Sequence, residues 1–383
     1  MPFVLYLLAL AVFAQGTSEF MLSGLVPDLA DDLQVSVPAA GALSSAFAAG
    51  MVVGAPLMAA VGSRWSQRRA LATFLGAFLL VHVIGATTSS YPVLLACRVV
   101  AALGNAGFLA VALSTAVGLV APNAKGRATA VLLGGTTMAC VVGVPAGALL
   151  GQVWGWRAAF WAVAVVTAPA LIAVLRSLPR PTADTAAEQP KAPSPRDELR
   201  ALRRPRLVRI LLLAALVNGA TFCGFTYLAP LVTTVTAITP GWVPAVLALF
   251  GLGAFAGVTT AGRLADTRPG LLLPAGGAVL LTAWSAFAMT ADEPVAALGL
   301  VLLLGSFSFA VGATLVAEVL YAAPDAPTLA GAFATAAFNA GATAGPLLGG
   351  TAIDAGLGYR SPLWVSAVLV AAALPLVRTV GRR

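Results

Sequence analysis

The sequence predicts an all-α integral membrane protein with twelve transmembrane helices in two parallel six-helix repeats. Of its 383 residues, 60% are hydrophobic and only 9% are charged, whereas a soluble domain has about 25% charged residues. Apolar runs of about 20 residues, enough to cross roughly 30 Å of hydrocarbon, recur along the chain. A single long polar stretch divides these runs into two sets of six.

The predicted spans are joined by short polar connections. We place spans one to twelve near residues 3–23, 39–61, 70–88, 92–118, 128–152, 158–176, 207–232, 243–262, 270–290, 294–320, 328–352 and 361–380. The first run has no Lys or Arg before Arg64, and eleven more runs follow it, so we expect a membrane helix rather than a cleaved signal. Cys97, Cys140 and Cys223 lie within apolar runs without C-x-x-C spacing, so we expect neither disulfides nor a metal site.

Positive charge is concentrated on one side of the predicted topology. If alternate loops face opposite sides, 19 of the 22 Lys and Arg residues fall on the side of the two termini. The positive-inside rule makes that side cytoplasmic. We therefore expect both termini in the cytoplasm, and the formal charge of +8 indicates topology rather than a nucleic-acid partner.

The two halves of the chain resemble each other. The Pro-rich polar stretch 177–206 is the predicted cytoplasmic linker between bundles 1–176 and 207–383. Gly155-Trp156-Arg157, before span six, returns 203 residues later as Gly358-Tyr359-Arg360 before span twelve. Because six spans separate the copies, both have the same orientation. This is the plan of transporters whose two bundles rock about a site near the membrane midplane.

Two motifs indicate a family. The stretch Gly262–Gly270, GRLADTRPG, is similar to the G-x-L-a-D-r-x-G-r loop of the major facilitator superfamily, with one residue inserted after Asp266. Ser66 replaces this aspartate in the first-half copy. Arg98 followed by Gly104 resembles the superfamily's fourth-span pattern. The resemblance covers the whole chain and implies the major facilitator fold.

Further motifs resemble antiporters. Gly143 and Pro145 in span five approximate the pattern G-x-x-x-G-P-x-x-G-G, and span eleven contains it in full around Gly345-Pro346. The segment Gly16–Leu29, GTSEFMLSGLVPDL, resembles drug:proton antiporters and, more narrowly, the chloramphenicol-resistance exporters of high-GC bacteria. These four Gly and Pro residues are expected in gating helices, where proline loosens the hydrogen-bond ladder.

Ionisable residues within a membrane are candidates for function. Glu19 lies near the end of span one, with Gln15 one turn earlier on the same face, and Asn105 follows Arg98 along span four. We expect Glu19 to exchange protons, and Arg98 to make proton and drug binding compete. Two alternatives remain open: a helix-end carboxylate at Glu19, and a purely structural Glu19–Arg98 ion pair.

Three charged residues are expected to form a cytoplasmic gate. They are Asp266 and Arg268 after span eight and Glu318 at the end of span ten. A solvated helix-end charge is the alternative for Glu318. His82 in span three has no evident acidic partner, so we expect a packing histidine.

Amides and aromatic side chains are the candidates for drug binding. Drug-sized pockets are mostly apolar with a few polar groups. The candidates are Gln15, Phe47, Asn105, Asn218, Phe222, Phe225, Phe338 and Asn339. Each aromatic ring has lipid contact or core packing as an alternative. Glu19 is the only carboxylate predicted deep within a span, and the positive charge of Arg98 would offset its negative charge. Little negative charge would then remain for a cationic cargo, so a neutral amphipathic cargo is favoured.

These features predict a transporter that does not use ATP. The chain has no G-x-x-x-x-G-K-[ST] run and only two lysines. We predict a monomeric, proton-coupled drug exporter of the bacterial inner membrane, with chloramphenicol or a similar phenicol as cargo and no cofactor. A proton-coupled carrier of a sugar or another small metabolite is the alternative. A membrane sensor would need a signalling domain, and an enzyme would need a nucleophile, base or metal constellation.

Overall fold

The computed structural model describes residues 2–62, 65–121, 124–177, 200–267, 272–324, 326 and 329–380, and these residues form helices and connecting turns without strands. Spans one to six comprise Phe3–Phe20, Val37–Gly62, Gln67–Thr87, Tyr91–Gly118, Lys125–Met138 with Val144–Trp154, and Trp156–Ser177. Spans seven to twelve comprise Pro205–Thr226 with Leu228–Thr234, Val243–Thr267, Leu272–Thr290, Pro294–Ala322, Ala330–Ala352 and Ser361–Val380. The short helix Val26–Asp32 and the 3-10 turn Arg200–Arg203 lie outside the spans.

These helices confirm the predicted spans. Within the described residues, ten helices are long and apolar enough to cross a membrane, and Ser361–Val377 is a shorter apolar helix. The Ala- and Gly-rich helix Ala330–Ala352 completes the set of twelve. Large apolar side chains such as Val295, which is 85% exposed, remain uncovered around the bundle. A bilayer accounts for such a surface, because soluble proteins rarely expose extensive apolar patches.

Span five contains a local irregularity that the sequence did not predict. Proline removes one backbone donor, and its ring crowds the carbonyl of the residue four positions earlier. The π-helical turn Ala139–Gly143 immediately precedes the segment in which Pro145 occupies the first turn. This widened turn brings the Cys140 carbonyl against Gly251 of span eight, where a side chain would overlap it. The two halves therefore meet at this point.

Span seven is interrupted at Tyr227, although the sequence predicted one helix over 207–232. The Tyr227 hydroxyl donates a hydrogen bond of 2.8 Å to the Pro346 carbonyl of span eleven and lies against Gly41 of span two. Nearby, a Cβ added to Gly350 would lie 3.1 Å from the Pro38 Cβ. The first and second halves are thus packed together at the end of the bundle that bears the span one–two connection.

Candidate functional site

Arg98 of span four is held inside the first half. Its side chain is 1% exposed. The Nη1 group donates to Ser18 Oγ at 2.9 Å, and Nε donates to the Leu43 carbonyl at 3.5 Å. The guanidinium carbon lies 4.4 Å from the centroid of the Phe47 ring. Such a cation–π contact is worth about 2 kcal/mol when it is desolvated, so Phe47 supports Arg98 from span two.

Glu19 and Arg98 make no direct ion pair in this conformation. No Arg98 nitrogen lies within 4.0 Å of a Glu19 carboxylate oxygen. The two groups are nevertheless close enough to interact electrostatically, as are Glu19 and Cys140 of the π-helical turn. The half-buried Glu19 accepts no hydrogen bond from any described residue. Arg98 Nη2 likewise has no hydrogen-bond partner among the described residues. Both groups are therefore available to other ligands or protons.

The chain's only histidine lies next to this arginine. Ser18 Oγ is 2.7 Å from His82 Nε2, and His82 Nδ1 is 2.7 Å from the Phe78 carbonyl oxygen. The imidazole packs beside the Phe78 ring at a centroid distance of 4.1 Å. We expected a packing histidine, and the ring is indeed buried, but a hydrogen-bond chain also connects it to Arg98. Its status as the single histidine, and a serine directly before Glu19, were the available sequence signals.

The two predicted site amides of the first half, Gln15 and Asn105, have different environments. Gln15 is 1% exposed, and neither its Oε1 nor its Nε2 has a hydrogen-bond partner among the described residues. Among the described residues, the Asn105 Nδ2 group reaches only the Met51 sulfur, at 3.6 Å. Buried polar atoms are nearly always paired. Gln15 therefore has two unused hydrogen-bonding atoms beside Glu19.

The second half brings several predicted residues together. Asn218 Nδ2 of span seven donates to the Phe338 carbonyl of span eleven at 2.7 Å. Phe222 is half-buried, and its ring centroid lies 5.7 Å from that of Phe20 in span one. Asn339 donates to the Thr335 carbonyl of its own helix at 2.9 Å. Phe222 therefore lies at the boundary between the halves, and Asn218 links spans seven and eleven within the second half.

Phe225 does not share the environment of Phe222. It is 7% exposed and stacks on Phe250 of span eight at a centroid distance of 4.6 Å. Since each residue advances an α-helix by about 100°, residues three apart point about 60° from each other. This difference turns Phe225 into the core of the second half. Phe225 therefore packs in the core of the second half rather than beside Phe222, which favours the core-packing alternative for this ring.

The predicted gate lies only partly within the described residues. Glu318 Oε2 is 3.5 Å from Arg206 Nη2 at the start of span seven. Arg268 and the Asp266 side chain lie outside the described residues. The Arg206 partner was not predicted, because it comes from a helix remote in sequence.

Close helix contacts explain the glycines of the two antiporter-like motifs. Gly143 lies against the Thr17 side chain of span one, and Gly345 lies against the backbone carbonyl of Gly219 in span seven. A side chain at either glycine would overlap its neighbour. Small residues allow membrane helices to approach in this way.

A cleft of about 670 Å³ opens between spans one, five and eight. This volume is in the range of small-molecule sites, about 300–1,000 Å³. Its walls are mainly apolar and contain Tyr6, Ala9, Leu10, Phe13, Ala130, Val131, Gly134, Gly135, Thr137, Met138, Val142, Phe255, Val258 and Thr259. None of the eight predicted drug-binding residues lines this cleft. The prediction missed it because both halves contribute to its walls.

Comparisons with known proteins agree with this architecture. The chain is 57% identical over 374 residues to a chloramphenicol resistance protein of Streptomyces lividans, covering 98% of this chain and 95% of the relative. It is 34% identical over 381 residues to the inner membrane transport protein YdhP of Escherichia coli K12, with 98% and 95% covered.

The fold also matches a solved structure. A bacterial homologue of the human lysosomal transporter Spinster, in an inward-facing and unoccupied conformation, superposes with a TM-score of 0.78 at 17% identity, covering 99% of this chain and 96% of that one. The family model of the Major Facilitator Superfamily matches residues 8–335. This multi-pass membrane protein, a transporter with a small-molecule substrate, therefore belongs to the Major Facilitator Superfamily.

Proposed function

We propose that the protein exports chloramphenicol, or a similar small and neutral amphipathic drug, in exchange for protons. The observation on which this rests is the 57% identity to a chloramphenicol resistance protein across nearly the whole chain. The apolar cleft between spans one, five and eight also has a volume and a few polar groups that suit an amphipathic molecule, although it lies apart from the proposed drug contacts.

Glu19 is the proposed proton carrier. It is half-buried within a membrane span and lies near Arg98 without being paired to it. Protonation removes the negative charge that faces Arg98, so proton binding changes what the guanidinium can attract. Drug bound near Arg98 would then favour release of the proton, and a proton on Glu19 would favour release of the drug.

Charge balance makes one proton per drug sufficient for export. Exchange of a neutral drug for a proton moves one positive charge inward. The membrane potential then contributes about 2.3 kcal/mol per 100 mV, and the pH gradient adds about 1.4 kcal/mol per unit.

The proposed mechanism is alternating access in a monomer of the bacterial inner membrane. Residues 1–176 and 207–383 form the two moving bundles, joined by the linker 177–206, with both termini cytoplasmic as the distribution of basic residues favours. The packing of Tyr227 and Gly350 against span two closes the end of the bundle opposite the termini. In the proposed topology this is the external end. The cleft beside Tyr6 and Thr259 lies toward the terminal end, which supports the proposal that this conformation is open toward the cytoplasm.

Gating then requires separate movements at the two ends. Gly143 and Pro145 near the π-helical turn, and Gly345 and Pro346 in span eleven, provide close contacts and weakened helix ladders. We propose that Glu318, with Asp266 and Arg268, participates in the gate at the cytoplasmic end. Gln15, Phe47, Asn105, Asn218, Phe222, Phe338 and Asn339 remain the proposed drug contacts.

Drug accumulation in cells tests this function. Efflux-deficient bacteria would express the wild type, Glu19→Gln or the surface control Glu293→Gln, and retained radiolabelled chloramphenicol would be measured. We expect low retention with the wild type and the control, and retention near that of empty cells with Glu19→Gln. Equal retention in wild-type and empty cells would refute chloramphenicol as cargo, whereas full export by Glu19→Gln would remove Glu19 from proton coupling.

The same cells test the rival cargo. If the protein is a sugar or metabolite carrier, a panel of labelled sugars should change in cellular content upon expression while chloramphenicol does not. The drug exporter predicts the reverse pattern.

A further inference from the structure

The hydrogen positions around His82 follow from its partners. The Phe78 carbonyl can only accept, so His82 Nδ1 bears a hydrogen and donates it across 2.7 Å. The Ser18 hydroxyl hydrogen has no acceptor among the described residues other than His82 Nε2, 2.7 Å away. In this arrangement the imidazole is neutral, with Nε2 accepting from Ser18.

This bond fixes the orientation of the Ser18 hydroxyl. With its hydrogen directed at His82, the oxygen lone pairs of Ser18 are available to Arg98 Nη1, which donates at 2.9 Å. The chain of donors therefore runs from Arg98 through Ser18 and His82 to Phe78. Within an apolar region such a chain is strengthened by mutual polarisation.

The surroundings leave His82 few other interactions. Its ring is 1% exposed, between Phe78 of its own span and Phe160 of span six, whose centroids lie 4.1 and 5.8 Å away. Among the described residues, the charged group that interacts with it is Arg98 from span four, which in turn interacts with Glu19 of span one. Any effect of His82 on transport must therefore pass through Ser18 and Arg98.

We propose that His82 is a positioning residue for proton-coupled drug transport, because its neutral ring orients Ser18 so that the Arg98 guanidinium stays beside Glu19 without pairing with it. This inference rests on the proposed function of Glu19 and Arg98. Loss of the Ser18–His82 bond frees the hydroxyl to rotate and releases Arg98 Nη1, and the released guanidinium can pair with Glu19. Such a pair holds Glu19 in its charged form and opposes protonation.

Two amide substitutions separate the hydrogen bonds of His82. In His82→Asn, the side-chain amide occupies the place of Nδ1 and can donate to the Phe78 carbonyl, four residues earlier in the helix. Asn339 makes the same kind of bond to the carbonyl of Thr335, four residues before it. It is too short to reach Ser18. In His82→Gln, the longer side chain places its carbonyl oxygen near the position of Nε2, where it can accept from Ser18. His82→Asn therefore removes the hydrogen bond with Ser18, whereas His82→Gln keeps it.

The test uses everted membrane vesicles containing the full chain and labelled chloramphenicol. Accumulation driven by an imposed pH gradient requires proton turnover, whereas drug–drug exchange at equal pH does not. We expect His82→Asn and Ser18→Ala to reduce pH-driven accumulation on the order of tenfold while exchange stays within about twofold of wild type. We expect His82→Gln to retain most of the accumulation. The double variant Ser18→Ala/His82→Asn should accumulate no less drug than either single variant, because the same Ser18–His82 contact is lost in the two single variants and in the double variant.

Control variants separate positioning from general structural damage. Thr167→Val removes a fully buried hydroxyl of span six that donates to the Val163 carbonyl of its own helix, and we expect it to preserve both activities. Equal loss of accumulation and exchange in His82→Asn, equal loss in the Asn and Gln variants, or wild-type accumulation by His82→Asn would each overturn the inference. Failure of the proposed function has a different signature: the wild type itself would show no pH-driven accumulation.

Discussion

Gly143 of span five lies directly against Thr17 of span one, so that a Cβ at residue 143 would overlap the Thr17 hydroxyl oxygen. That hydroxyl donates to the Phe13 carbonyl at 2.8 Å and cannot move aside without losing its bond. Because overpacking costs typically 1–3 kcal/mol, we expect Gly143→Ala to lower the melting temperature of the purified protein.

The same substitution at Gly134 is the matched control. Gly134 lies nine residues earlier in span five, and a Cβ there would meet no atom within 4 Å. We expect Gly134→Ala to leave the melting temperature unchanged or to raise it, since Ala favours helix over Gly by about 1 kcal/mol. Equal destabilisation at both positions would show that the Thr17 contact is not responsible.

Phe222 and Phe225 should respond differently to the same change. Phe225 is stacked on Phe250 inside the second half, and Phe222 contacts Phe20 across the boundary between the halves. Because Phe→Ala in a core costs about 3–5 kcal/mol, we expect Phe225→Ala to lower thermal stability strongly. We expect Phe222→Ala to raise the apparent KM for the drug several-fold with little loss of stability. Drug transport kinetics and melting curves of both variants check this, and interchanged effects would contradict the assignment.

Gln15 offers a test in which stability and activity move in opposite directions. Its two amide atoms are buried without a partner among the described residues, and each unsatisfied atom costs about 1–3 kcal/mol. Gln15→Met keeps the unbranched shape and removes this cost, so we expect an equal or higher melting temperature. We expect lower drug efflux, because the amide is a proposed drug contact. Unimpaired efflux would exclude Gln15 from the drug site.

The Asp32–Arg157 pair predicts a pH-dependent contribution to stability outside the membrane spans. Arg157 donates to the Asp32 carboxylate at 2.6 Å and Trp156 donates at 3.1 Å. The Arg157 hydrogen bond is the main reason that the pKa of Asp32 lies below its ordinary value of 3.8. A carboxylate with a depressed pKa stabilises the folded state above its unfolded pKa, and this contribution is lost as the pH falls through the folded pKa.

We therefore expect Asp32→Asn to lower the melting temperature at about pH 7. The difference in melting temperature from the wild type should shrink as the pH falls below about 3.8. The loss should be less than about 1 kcal/mol, because both side chains are partly exposed and solvent screens the pair. Asp31→Asn is the control, since Asp31 is exposed and makes no ion pair with any described residue. A loss that is independent of pH would contradict the ionic origin of the effect.

Much of the fold could be predicted from local patterns. Apolar length located the spans, and the repeated Gly-Trp-Arg and Gly-Tyr-Arg motifs at Arg157 and Arg360 indicated the two halves. The structure gives these arginines equivalent roles: Arg157 binds the Thr88 carbonyl and Asp32, while Arg360 binds Asp292. Prediction of these elements was possible because a span depends on the cost of placing its own residues in hydrocarbon.

The sequence by itself thus determined the membrane helices, their order and the few polar residues placed among them, because the lack of water in the bilayer makes each such placement costly and visible in composition. Only the tertiary structure decided the partners of those residues: Ser18 and Phe47 beside Arg98, Phe250 beside Phe225, and the walls of the cleft. A helical pattern gives the direction of a side chain around its own axis. Which atom it meets depends on the rotation and packing of helices far apart in the chain, and these are set by the whole bundle at once.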